Sequence, residues 1–142
     1  MGIDLKLSCS AAGHAWLATL SDQQATEVVV RQGVGDPESY GPNAPVTVEA
    51  LLEMLKGHRK RGFGLIQNMY APGLNSMAAV IRRKGEPAAG ALIVAGPSSR
   101  FAEERMLHVG PSLMKMANEL ALIGSASPLL KPDDRGTWGN MG

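Results

Sequence analysis

The stretch from Gly73 to Phe101, GLNSMAAVIRRKGEPAAGALIVAGPSSRF, constrains the fold more than any other part of this chain. Two apolar, β-prone runs, Ser76–Ile81 and Ala88–Ala95, flank a polar link of Arg82, Arg83, Lys84, Gly85, Glu86 and Pro87. This pattern predicts a β-hairpin, with Gly85 free to take a positive φ in the turn. The second strand runs into Gly96-Pro97-Ser98-Ser99-Arg100, a break before an amphipathic helix. A strand pair rich in small residues beside a helix is a common wall for a small-molecule pocket, and nothing in it carries a catalytic group.

The flanking segments read as helices with defined ends. Leu5 and Leu7 alternate with polar neighbours like a short strand end, and Ser8 or Ser10 can cap a helix running to about Leu20. Ser21 and Gln24 form a capping box that opens a helix to about Gln32, stopped by Gly33. Residues 33–45 hold three Gly and three Pro and read as a loop. Thr47 caps a further helix with Val48, Leu51, Leu52 and Leu55 on one face, ended by Gly62. Phe63–Met69 reads as a strand. After the hairpin, Met106, Val109, Leu113, Met116, Leu120 and Ile123 step by three or four and predict the buried stripe of a long helix. Pro111 falls inside that pattern, where it either kinks the helix or marks its start. Residues 128–142 read as a loose tail.

Size and charge narrow the function classes. At 142 residues the chain has the length of one domain, and 44% hydrophobic content supplies a packed core. Fourteen basic residues against thirteen acidic ones leave a net charge of +1, without the basic face of a chain that reads DNA by itself. Aromatics at 4% argue against a base-stacking surface for single strands. Cys9 is the single cysteine, so no internal disulfide forms, which fits a reducing compartment. No apolar run approaches the ~18–20 residues of a membrane helix, and the first residues do not resemble a signal peptide. The expected location is the cytoplasm, with no membrane partner.

Several residues carry chemistry only if neighbours cooperate. Ser10 and His14 are four apart and can meet on one helical turn, but a nucleophile–base pair also needs an orienting carboxylate and an oxyanion site. A helix cap and an exposed histidine is the simpler expectation. Cys9, His14, His58 and His108 lack paired ligand spacing, so no metal site and no cofactor are expected. The run His58-Arg59-Lys60-Arg61 reads as a favourable charge–dipole interaction at a helix C-terminus in preference to a phosphate site. Ser98 and Ser99 read as helix caps before an anion site. Met106 and Met116 fit core packing, whereas Met69 and Met77 flank the presumed pocket.

Four pieces together resemble the C-terminal effector-binding domain of IclR-type bacterial transcription regulators. They are Leu7-Ser8-Cys9-Ser10-Ala11-Ala12-Gly13-His14-Ala15-Trp16-Leu17-Ala18, Arg61-Gly62-Phe63-Gly64, Gly73-Leu74-Asn75-Ser76-Met77-Ala78, and Ala91-Leu92-Ile93-Val94-Ala95-Gly96-Pro97-Ser98-Ser99-Arg100. They stand in the family's order and spacing across roughly residues 5–124. The resemblance implies an α+β, GAF-like fold, an antiparallel sheet flanked by helices, binding a small organic effector against the sheet. It implies no catalysis. In the family a winged helix-turn-helix domain binds operator DNA, and effector binding biases the arrangement of dimers and tetramers.

Carried over residue by residue, the implied ligand-binding set is Ala11, Ala12, Ile66, Ser76, Ile93 and Ala95. Ala11 and Ala12 match the backbone donors at the helix entry, and Ser76 matches the small polar residue of the first hairpin strand. Ile66 stands where the family often has an acid, and Ile93 and Ala95 stand where it often has Ser. A small, doubly polar acid such as glyoxylate loses side-chain partners here, at about 1–3 kcal/mol for each buried unsatisfied group. The implied effector is less polar than glyoxylate or larger, for example aromatic; alternatively, effector binding has been lost. The family's early elements and its DNA-binding domain have no counterpart in these residues. The expectation is an effector-binding domain at 1–127 without its first elements, either a fragment or a shortened homologue. It should not bind DNA alone, and an unpaired edge should favour a homo-oligomer. Two other readings stay open: a small enzyme using Ser76 or His14 in the same pocket, and an oligomerisation module whose pocket its own side chains fill.

Overall fold

The structure is a computed structural model and describes residues 7–34 and 38–124. A short 3-10 turn, Leu7–Cys9, leads into helices α1 (Ala11–Leu17), α2 (Asp22–Gln32) and α3 (Val48–Arg61). Strands β1 (Gly64–Gln67), β2 (Leu74–Ile81) and β3 (Gly90–Pro97) follow, and helix α4 (Glu103–Gly124) comes last. Leu7 therefore opens a turn instead of ending a strand; Leu5 and the 128–142 tail lie outside the described residues.

The helix ends follow their local chemistry. Ser10 caps α1 by accepting from the Gly13 amide at 3.0 Å. Ser21 and Gln24 exchange both bonds of a capping box, and Thr47 accepts from the Ala50 amide. Gly62 ends α3 at φ 92°, a left-handed conformation that a side chain disfavours. α1 stops at Leu17, three residues earlier than expected, in a turn closed by Thr19 on Trp16 and Leu20 on Leu17.

The hairpin forms as predicted, with Gly85 at φ 80°. The sheet order is β1-β2-β3, antiparallel throughout. Asn68, at φ 50°, ends β1, and its side-chain oxygen accepts from the Gly73 amide at 2.6 Å to hold the turn into β2. Buried Asn75 joins β2 to the segment before α4, donating to the Phe101 carbonyl at 2.8 Å and accepting from the Asn68 amide at 3.2 Å. The molecule is thus α+β.

Helices cover both faces of the sheet. On one face Ala11 and Ala15 of α1 pack with Ile66 and Ala78. The approach is close: a Cβ on Gly64 would stand 2.8 Å from the Ala11 carbonyl oxygen. On the other face Leu65, Met77 and Ala79 meet Met106, Leu113 and Ala117 of α4. A third cluster, Leu17, Ala25, Val29, Leu51 and Leu55, joins α2 to α3. Met77 belongs to the α4 side and Met69 to the α1 side.

Two expectations about the last helix are corrected. Its buried stripe is Met106, Gly110, Leu113, Ala117 and Ala121, while Met116 and Ile123 are 53% and 66% exposed. Small residues sit where the helix approaches most closely: a Cβ on Gly110 would stand 2.4 Å from the Phe63 ring. Pro111 lies on the solvent side within the helix, not at its start. Ser98 and Ser99 sit in a turn several residues before Glu103, where Ser98 donates its amide to the Gly73 carbonyl; they are not caps of α4.

Candidate functional site

Strand register decides which candidate residues can act together. Ile66 pairs with Ser76, and Ser76 with Ala95, so these three form one row across the sheet. Gly64, Ala78 and Ile93 form the next row. Cross-strand partners share a face, as do alternate residues along a strand. Ile66, Ser76, Ala95 and Ile93 therefore face the same side, the side that α1 covers.

The covering is uneven. Ala11, Ile66 and Ser76 are buried beneath or beside α1, and Ala12 is half-buried. Ala95 is exposed and Ile93 is 54% exposed, although α1 lies over all three strands. The face is thus closed at β1 and open at β3. Its lining is apolar apart from Ser76 and the first backbone N–H groups of α1. A groove of about 460 Å³ runs along the outer side of β1 against α3; of the six candidates it touches Ile66, and its polar lining includes Asn43, Glu53 and Arg61.

Under α1 lies an arrangement that the sequence reading did not anticipate. His14, expected to be exposed, is fully buried, and His58 is 3% exposed. Their rings meet edge to face, with His14 Nδ1 2.8 Å from His58 Nε2. His14 Nε2 lies 2.7 Å from the Ser8 carbonyl oxygen and must donate to it. His14 Nδ1 is then the acceptor for the His58 Nε2–H. His58 Nδ1 accepts in turn from Arg61 Nη2 at 2.8 Å and from the Leu65 amide at 3.2 Å. Every ring nitrogen is satisfied with both imidazoles neutral. Burial pushes His14 down to about 4 against the opposing pull of the Ser8 carbonyl. Burial, then the neighbouring His14 and Arg61, push His58 down to about 3.

This chain of bonds removes His14 from chemistry. Both its nitrogens are engaged, and the Ser10 hydroxyl serves as a cap, so the two do not form a nucleophile–base pair. A signal was available: His58 extends the apolar α3 stripe three residues beyond Leu55, and His14 lies between buried Ala11 and Ala15. The basic run at the end of α3 also does more than meet a helix dipole. Arg59 reaches the carbonyls of Ala18 and Leu20 and the carboxylate of Asp22, tying the start of α2 to α3. Among the described residues no cluster of three or more His, Cys, Asp or Glu can hold a metal ion, and no helix is long and apolar enough to cross a membrane.

Solved structures share this fold. The Agrobacterium tumefaciens repressor BlcR superposes with a TM-score of 0.72 at 21% identity, covering 83% of this chain and 47% of that one. The inducer-binding domain of the Acinetobacter transcription factor PobR, a double mutant in complex with 3-hydroxybenzoic acid, also scores 0.72 at 21% identity, covering 82% and 66%. By sequence the chain is 33% identical over 122 residues to the Escherichia coli K12 transcriptional repressor IclR, which covers 86% of this chain and 43% of the repressor. The chain thus spans less than half the length of that relative. The family model described as bacterial transcriptional regulator IclR, C-terminal, matches residues 1–122, and the chain belongs to that family.

Proposed function

We propose that the α1-covered face of the sheet binds a small organic effector and that this domain serves as the sensor of a DNA-binding regulator. The observation that carries the reading is the register, which puts Ile66, Ser76, Ala95 and Ile93 on one face beside Ala11 and Ala12. The lining favours an effector with one polar end and an apolar body. Ser76 and the α1 amides serve the polar end; Ile66, Ile93 and Ala95 serve the body. The 3-hydroxybenzoic acid bound by the PobR domain shares the apolar ring body, with a carboxylate and a hydroxyl meta to it. In this reading the domain does no chemistry, and operator DNA is bound in the cytoplasm through a helix-turn-helix domain elsewhere in the regulator. The reading includes self-association, because Ile93 on β3 and Met116, Leu122 and Ile123 on α4 are exposed apolar surface.

The test is calorimetric titration of the chain with 3-hydroxybenzoic acid and with glyoxylate, repeated on Ser76→Trp. The aromatic acid should bind, glyoxylate should bind far more weakly, and Ser76→Trp should abolish binding while the circular dichroism stays unchanged. Tight glyoxylate binding, or aromatic binding indifferent to Ser76→Trp, overturns the reading.

A further inference from the structure

A second cavity lies on the other side of the His14–His58 pair. β1 covers β2 only as far as the Gly64–Ala78 pair, while β2 continues to Ile81. Among the described residues no strand pairs with 79–81 on that side, and Gly62 turns the chain at the end of α3. The notch left between α1, α3 and α4 is a cleft of about 370 Å³, within the range of small-molecule sites. The apolar part of its lining includes Ala15, Ala18, Phe63, Val80, Met114 and Ala117. Met114 closes one side against Gly62, where a Cβ would meet its Sδ at 2.8 Å.

The polar lining has one sign of charge. Arg59, Arg82 and Lys84 border the cleft, with Thr19 and Asn118, and none of the described lining residues is a carboxylate. Arg59 is neutralised by Asp22 at 2.7 Å and held by two carbonyls. Arg82 and Lys84 make no ion pair among the described residues; between them, Arg83 pairs with Glu86 instead. His58, which also borders the cleft, is neutral and wholly engaged, so it adds no charge. Two uncompensated cations bordering one cleft raise the local concentration of anions there.

We infer that this notch is a binding site for a small organic anion, an apolar body seated between Phe63 and Met114 with its carboxylate or phosphate facing Arg82 and Lys84. Its lining includes none of Ala11, Ala12, Ile66, Ser76, Ile93 and Ala95, so it is a different pocket from the effector site.

The experiment follows the methyl signals of Ala79, Met114 and Ala117 by NMR while the chain is titrated with benzoate, phenyl phosphate or benzyl alcohol. Benzoate or phenyl phosphate should shift these methyls, whichever binds tighter naming the head group, and benzyl alcohol should not. The exposed pair Arg82→Ala/Lys84→Ala should weaken binding about tenfold, and raising salt from about 0.05 to about 0.5 M should weaken it as well. Ser76→Trp should leave these shifts intact, so that failure of the effector reading and failure of this one are told apart. Shifts confined to the Ser76 and Ile93 face, equal binding of benzyl alcohol, indifference to the double substitution, or no shift by any probe overturns the proposal.

Discussion

Acid should destabilise this domain earlier than its carboxylates alone would, and the buried histidine pair sets the size of the effect. In the unfolded chain His14 and His58 take up protons near pH 6.5; in the folded chain burial holds them down to about 4 and about 3. Above pH 6.5 both states carry neutral imidazoles, and the full stability is present. As pH falls below 6.5 the unfolded state binds two protons that the folded state refuses, so stability declines. Each histidine contributes about 1.4 kcal/mol per pH unit, so the pair approaches ~2.7 kcal/mol per unit. Between pH 7 and 5.5 the loss integrates to about 2.5 kcal/mol, a large part of the ~5–15 kcal/mol that holds a domain together. Below about pH 4 the folded state begins to protonate too, and carboxylates take over the dependence. Protonation in the folded state would break the bond network, because each Nδ1 is an acceptor. The assay is urea unfolding at a series of pH values, comparing the chain with His14→Gln/His58→Gln. The native chain should show the steep decline between pH 6.5 and 5, and the double variant, less stable at pH 7, should show a much flatter one. A flat profile in the native chain, or imidazole signals of His14 and His58 titrating near pH 6.5 in the folded protein, refutes the argument.

Three further outcomes are expected. Asn75→Ala should cost about 2–4 kcal/mol in denaturant unfolding, since it strands the buried Phe101 carbonyl and removes a partner of the Asn68 amide. Leu55→Ala should cost about 2–5 kcal/mol because Leu55 is fully buried between α2 and α3; a loss under 1 kcal/mol would mean that this cluster is loosely packed. Gly64→Ala should lower the melting temperature by pushing α1 off β1, and the shift should be larger than for Gly90→Ala on the exposed end of β3, where a new Cβ meets nothing within 4 Å.

The parts of this fold legible in the sequence are those whose causes lie within a few residues. The caps at Ser10, Ser21 and Thr47, the stop at Gly62 and the hairpin turn at Gly85 each rest on one side chain or one backbone conformation acting on its own neighbours. The candidate ligand face came instead from the family resemblance, and the strand register puts its β-strand residues on one side of the sheet. Burial was not legible, since it depends on which element arrives from elsewhere. Met116 and Ile123 fit the periodicity as well as Met106 and Leu113 do, yet only the phase at which α4 meets the sheet separates buried from exposed. Ile93 and Ala95 are open to solvent although α1 also packs near β3, which no local pattern in the sequence foretells. His14 and His58 are 44 residues apart and show no shared spacing. Only the packing of α1 against α3 closes them to hydrogen-bond distance, and their neutrality follows from the water that packing excludes.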